Sequence, residues 1–174
     1  MKKALFLDRD GIINIDTGHL YLFEDVEYVA GILLVIQEFN NRGYNIVVVT
    51  NQAGISKGLY GIKSVEKLHN LMREDILKKT GVEIKDWLFC PHQDSDNCAC
   101  RKPKIGMILR AQEKYQFDLN SSYLIGDKLS DVEAGISSGV GNCFLLKSEY
   151  FDFNTVFNRK NFTRLHNLSE LLTY

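Results

Sequence analysis

Two carboxylates two residues apart, in the run Asp8-Arg9-Asp10-Gly11, directly follow the apolar run Ala4-Leu5-Phe6-Leu7. At the end of a buried strand such a pair is costly unless its charge is compensated. A divalent cation that takes hard oxygen ligands, such as Mg²⁺, would compensate it. A carboxylate can also attack phosphorus as a covalent nucleophile. A second carboxylate can protonate the leaving oxygen and then activate water. Gly11 lets the backbone turn tightly behind the pair. The same residues also suit an ordinary solvated turn, so they need support from elsewhere in the chain.

Three further blocks offer it. In Val49-Thr50-Asn51-Gln52-Ala53-Gly54 a hydroxyl ends a β-branched run and backbone N–H groups follow, a pattern that suits phosphate oxygens as well as a plain polar turn. In Gly126-Asp127-Lys128-Leu129-Ser130-Asp131 a strand runs into an acidic turn, and Asp127 would complete a Mg²⁺ site with Asp8. Asp131 reads as a helix N-terminal acid with at most an outer role. The third block is Cys90-Pro91-His92 followed by Cys98-Ala99-Cys100. Three thiols and one imidazole within a short loop match a closed tetrahedral Zn²⁺ site, which leaves no open position and so implies a structural role. Arg101-Lys102-Pro103-Lys104 comes next. A zinc-fixed loop would hold these cations near the strand ends, where they can bind phosphate. Otherwise they form a solvated basic run. Cys143 reads as a core residue, and His69 and His166 as surface residues with no assigned role.

The elements that must position these residues alternate between strand and helix. Strands are expected at Ala4–Leu7, Asn45–Val49, Trp87–Phe89, Tyr123–Ile125 and Cys143–Leu146. Helices are expected around Ile32, Ile36 and Phe39, closing at Gly43, and around Val65, Leu68 and Met72, with Ser64 as N-cap and an end near Gly81. Two more are marked by Ile108, Ala111 and Tyr115, and by Val132 and Ile136. The stretch from about Glu149 to Asn167 gives no clear signal, and a short helix is expected after Asn167. This order implies an α/β domain with a mainly parallel sheet between helices. In such folds ligands sit beyond the C-terminal strand ends, which would gather Asp8, Thr50, Cys90 and Asp127 at one rim.

The chain of 174 residues fits one domain, 1–174, with 45% hydrophobic and 25% charged residues. A net charge of −1 provides no basic excess for a nucleic-acid backbone, so no nucleic-acid partner is expected. No apolar run approaches about 18 residues, so no membrane contact is expected and the expected compartment is the cytoplasm. Neither G-x-x-x-x-G-K-[ST] nor G-x-G-x-x-G occurs, which excludes the nucleotide loops they signal.

Taken in order, Asp8-Arg9-Asp10-Gly11, Thr50-Asn51-Gln52, Arg101-Lys102-Pro103 and Gly126-Asp127 resemble the haloacid dehalogenase superfamily of phosphatases, from about Lys3 to Leu146. The zinc cluster narrows the resemblance to the branch that contains heptose 1,7-bisphosphate 7-phosphatases and the phosphatase half of histidinol-phosphate phosphatase. The resemblance implies a Rossmann-like three-layer sandwich without a large cap domain. It implies catalysis by Asp8 as nucleophile and Asp10 as acid/base, with Thr50 and Lys102 stabilising the transferring group. Mg²⁺ would be held by Asp8, the Asp10 backbone carbonyl and Asp127, and structural Zn²⁺ by Cys90, His92, Cys98 and Cys100.

Substrate contacts are expected from Arg9, from Asp16-Thr17-Gly18-His19, from Asn51, Gln52 and Ala53, and from Arg101 and Lys128, with Arg101 on a distal phosphate. The implied partner is a small sugar bisphosphate and the implied state a monomer. Asn14-Ile15-Asp16, Gln52-Ala53-Gly54-Ile55 and Asp127-Lys128-Leu129 lean toward the heptose side, and hence toward the assembly of nucleotide-activated heptose. Histidinol-phosphate hydrolysis and a non-catalytic zinc-stabilised phosphate-binding module remain the alternatives. A polynucleotide end-phosphatase is disfavoured by the near-neutral charge. Ile12 departs from the family, which places Thr there, and the zinc loop is short.

Overall fold

In the computed structural model, which describes residues 2–148 and 162–174, every apolar run named above becomes a strand of one parallel sheet. The strands are β1 (Lys3–Leu7), β2 (Tyr44–Asn51), β3 (Asp86–Cys90), β4 (Tyr123–Gly126), β5 (Asn142–Leu146) and β6 (Thr163–Leu165). Their spatial order is β3-β2-β1-β4-β5-β6. Between them run α1 (Ile32–Asn41), α2 (Ile62–Thr80), α3 (Gly106–Tyr115) and α4 (Leu129–Ser138).

The period of two along β1 divides the core. Leu5 and Leu7 pack in one buried cluster with Ile36, Phe39 and Met72 of α1 and α2. Ala4 and Phe6 face the other cluster, with Ile108 and Ala111 of α3 and Val132 of α4. Helices therefore cover both faces, which makes a Rossmann-like three-layer sandwich. Among the described residues no large cap is inserted: the 8–31 connection carries one short 3₁₀ turn, Phe23–Asp25.

The chain moves outward from β1 to β2 and β3, then returns to the other side of β1 with β4. That reversal opens a crevice at the carboxyl ends of β1 and β4, where open α/β sheets bind ligands. Asp8 and Asp127 flank it.

Two expectations need correction. Ser64 is not the N-cap of α2: Gly61 is, without a side-chain cap bond, and the Ser64 N–H already donates to the Gly61 carbonyl at 3.0 Å. The first turn thus forms ahead of it. The unreadable stretch also contains β6, an edge strand of three residues paired to β5, too short to show an alternation. The rest of that stretch, 149–161, lies outside the described residues. The helix expected after Asn167 is a 3₁₀ helix, Leu168–Thr173.

Candidate active site

Asp8 leaves β1 with its N–H donating to the Ile125 carbonyl of β4 at 3.0 Å, so its position is set by the sheet. It is 5% exposed. Lys102 Nζ lies 2.9 Å from Asp8 Oδ1, donates to the Val49 carbonyl at 2.7 Å and pairs with Asp131 Oδ1 at 2.6 Å. These partners take up the three protons of the ammonium. Burial pushes the Asp8 carboxyl up to about 6, against the pull of Lys102 and with help from Asp131 and Asp10. Burial lowers the Lys102 pKa, but Asp131 and Asp8 outweigh it and hold the ammonium up at about 12.

Asp127 follows β4 directly and is 1% exposed. Neither of its carboxylate oxygens accepts a hydrogen bond, although Lys128 Nζ stands 4.0 Å from Oδ2. Burial, reinforced by Asp8, pushes this carboxyl up to about 8. One oxygen from each of Asp8, Asp127 and Asp131 lies within 4.8 Å of the others. Buried carboxylate oxygens that converge, those of Asp127 with no donor of their own, are the donor set a hard cation requires, so the residues fit Mg²⁺. Gly11, at φ +86°, sits so close that a Cβ would strike the Asp127 carboxylate.

Asp131 does more than the sequence suggested. It caps α4 by accepting from the Lys128 N–H at 3.0 Å, and it also anchors Lys102. Gly126 admits it, since a Cβ there would clash with its side chain.

Asp10 sits in a net of donors: Arg9 Nη2 at 2.9 Å from both its oxygens, Gln52 Nε2 at 2.9 Å and Asn14 Nδ2 at 3.0 Å. Here an expectation fails. Arg9 does not reach into the cleft: it is 0% exposed, and its guanidinium is committed to Asp10, the Leu20 carbonyl, Gln52 and His69. A cation that deep holds neighbouring side chains rather than ligand. Gln52 Nε2 also donates to Thr50 Oγ1 at 2.9 Å, while Tyr60 donates to Gln52 Oε1 at 2.8 Å. Asn51 exchanges two hydrogen bonds with the Lys102 backbone, at 3.0 and 3.1 Å, and so ties the end of β2 to the segment after the cysteine loop.

A cleft of about 510 Å³ opens above these groups. Its walls include Asp10, Gly18, Gln52, Ala53 and Lys102. Asp16, His19, Asn51, Arg101 and Lys128 line it as expected. Thr17 is exposed beside it without lining it. Lys128 bridges to Asp16 at 3.0 Å, which pins the 16–19 loop to the start of α4. Lys57 and Tyr60 also line the cleft. Sequence reasoning missed both, because one basic and one aromatic residue in a Gly-rich turn carry no distinguishing spacing.

Cys90, His92, Cys98 and Cys100 converge as expected, with the four ligand atoms within 4.8 Å of one another. That Cys₃His set fits Zn²⁺. Burial raises the Cys98 thiol, but hydrogen bonds from the Arg101 N–H and the neighbouring thiols hold it down at about 6. Arg101 is bound to the same loop, donating to Asp94 and to the His92 carbonyl. Ile12 is fully buried in the core.

A family model described as polynucleotide kinase 3 phosphatase matches residues 16–156. The chain is 45% identical over 144 residues to a D-glycero-beta-D-manno-heptose-1,7-bisphosphate 7-phosphatase of Helicobacter pylori, covering 83% of each chain. It is 38% identical over 172 residues to a D-glycero-alpha-D-manno-heptose-1,7-bisphosphate 7-phosphatase of Campylobacter jejuni, covering 99% of this chain and 95% of that one. In fold it is similar to the D,D-heptose 1,7-bisphosphate phosphatase of B. bronchiseptica, solved with magnesium and phosphate, with a TM-score of 0.85, 24% identity and coverage of 98% and 96%.

Proposed function

The chain belongs to the family described as polynucleotide kinase 3 phosphatase, within the haloacid dehalogenase superfamily, and from its similarity to heptose 1,7-bisphosphate 7-phosphatases we propose that it removes the 7-phosphate of D-glycero-D-manno-heptose 1,7-bisphosphate through a phosphorylated Asp8. The observation that carries the reading is Asp8 itself: buried at a strand end, 2.9 Å from Lys102 and grouped with the unbonded oxygens of Asp127.

Asp8 Oδ attacks phosphorus, and the bond from phosphorus to the sugar oxygen breaks. Asp10 gives that oxygen its proton. Asp10 then takes a proton from water, which attacks the acyl phosphate and restores Asp8 with release of inorganic phosphate. Thr50 accepts from Gln52, which leaves its own proton for a phosphoryl oxygen. Lys102 holds the nucleophile in place. Mg²⁺, held by Asp8, Asp127 and the Asp10 backbone carbonyl, would neutralise charge on the phosphoryl oxygens. Zn²⁺ in the cysteine loop would be structural and would fix Arg101 for the distal phosphate. Asp16, Thr17, Gly18, His19, Ala53 and Lys128 would meet the sugar at the rim.

The relatives divide between alpha and beta anomers, so both belong in the test. Phosphate release with Mg²⁺ is measured from each heptose 1,7-bisphosphate anomer, from histidinol phosphate and from a 3′-phosphorylated oligonucleotide. Strong preference for a bisphosphate is expected. Preference for histidinol phosphate would keep the Asp8 chemistry and overturn the substrate. No helix among the described residues is long and apolar enough to cross a membrane, and the proposed setting is a cytoplasmic monomer.

A further inference from the structure

The sequence places His69 on the surface; it is instead buried, at the end of a chain of contacts that begins at the cleft. It lies on α2 and is 3% exposed. Its ring packs 4.8 Å from Trp87 and 5.7 Å, edge-on, from Phe89, both on β3. Its Nε2 is 3.2 Å from Arg9 Nη1. Burial, with the cations of Arg9 and Arg73 nearby, holds the imidazole well below its usual pKa. The ring is therefore neutral, and Nε2 accepts the Arg9 proton while the ring proton sits on Nδ1.

Arg9 is fully buried, so each edge of its guanidinium needs a partner. Nε and Nη2 hold the Asp10 carboxylate, and Nη1 turns to His69. The guanidinium is gripped from two sides: Nε and Nη2 face Asp10, with the Leu20 carbonyl and Gln52 also on Nη2, while Nη1 faces His69; Arg9 in turn shares Asp10 with Gln52 and Asn14. We propose that His69 is a positioning residue that acts through Arg9 to hold Asp10 where it can exchange protons with the leaving oxygen and with water. The inference rests on the acid/base reading of Asp10 given above.

Without an acceptor at Nε2, one edge of a buried guanidinium loses its partner and the plane rotates to find another. Asp10 then keeps Gln52 and Asn14 but loses the fixed two-point grip of Arg9, although the distal contacts of the substrate remain. The cost falls on steps that need a proton delivered.

The test compares a sugar phosphate, whose poor leaving oxygen needs that proton, with p-nitrophenyl phosphate, whose good leaving group does not. In His69→Phe, which keeps an aromatic ring but no acceptor, kcat/KM for heptose 1,7-bisphosphate is expected to fall about tenfold, part of the 10²–10⁴ typical of a general acid. kcat/KM for the aryl ester is expected to stay within about twofold, since it needs little general-acid help. His69→Gln, which places an oxygen near Nε2, is expected to restore the sugar phosphate rate, whereas His69→Asn, which reaches only the Nδ1 position, is not. Equal losses on both esters, or no loss, would overturn the proposal. If His69→Phe does not fold, the Gln and Asn variants decide, and equal rates for the two overturn it. Asp10→Asn is the control: if it shows no split between the esters, the acid/base reading of Asp10 has failed rather than the role of His69.

Discussion

At the scale of single residues the site combines groups that form bonds with groups that only place them. Asp8→Asn keeps the shape but removes the proposed nucleophile, so turnover is expected to fall to background in a phosphate-release assay; rates comparable to the parent would reject Asp8 in that role. Thr50→Ala removes one donor from an otherwise intact cradle, and a loss of about 10²-fold in kcat is the expected scale. Gly11→Ala tests a different property. A methyl group there meets the Asp127 carboxylate, and φ +86° is strained for Ala. The expected outcome is a Mg²⁺ activation constant raised by at least about tenfold, roughly the 1.4 kcal/mol that such crowding readily exceeds. Unchanged Mg²⁺ dependence would show that Asp127 does not hold the ion.

At the scale of elements, the cysteine loop acts as a clamp between β3 and Lys102. Cys90 ends β3, Arg101 and Lys102 follow Cys100 directly, and Asn51 of β2 receives the Lys102 backbone. Cys98→Ala is therefore expected to lower bound zinc, measured on the purified protein, and to raise KM for a bisphosphate several-fold more than it lowers kcat. Loss of zinc with unchanged KM would detach the loop from substrate recognition. Much of this scale was legible beforehand. Asn45–Val49 and Tyr123–Ile125 are continuous β-branched or apolar runs that end at Thr50 and Asp127, so the runs and their polar ends located the strands and the side chains the fold brings to one rim. Three features resisted for physical reasons. β6 is too short for a period. Ser64 is a good capping residue type, but Gly61 begins the helix one turn earlier. Arg9 and His69 gain their meaning only when α2 packs over the β1 loop, a contact sixty residues apart along the chain that no local pattern encodes.

At the scale of the whole molecule, two buried carboxyls at one strand rim, Asp8 and Asp127, make stability depend on pH, and the proposed cation would act through the same rim. A carboxyl raised in the folded state binds protons that the unfolded chain has already released, so its favourable contribution is complete below the unfolded pKa of 3.8 and is lost as pH rises through the folded value. That value is about 8 for Asp127 and about 6 for Asp8. Other groups act in the opposite direction. His69, held neutral in the fold, adds stability as pH rises toward its unfolded value of 6.5, and Cys98, held down at about 6, adds it above that point. A single melting curve sums them all. The difference between Asp127→Asn and the parent cancels His69 and Cys98 and isolates the one carboxylate. Without Mg²⁺, the variant's Tm is expected to exceed the parent's by a margin that grows from pH 5 to pH 8, reaching on the order of 10 °C for a few kcal/mol in a chain of this size. Adding Mg²⁺ is expected to raise the parent's Tm more at pH 8 than at pH 5, because the ion needs the ionised carboxylate, and to leave the variant nearly unmoved. A margin that shrinks with pH, or an equal response of both proteins to Mg²⁺, would mean that Asp127 carries its charge in the fold without the cation and that the rim is not its site.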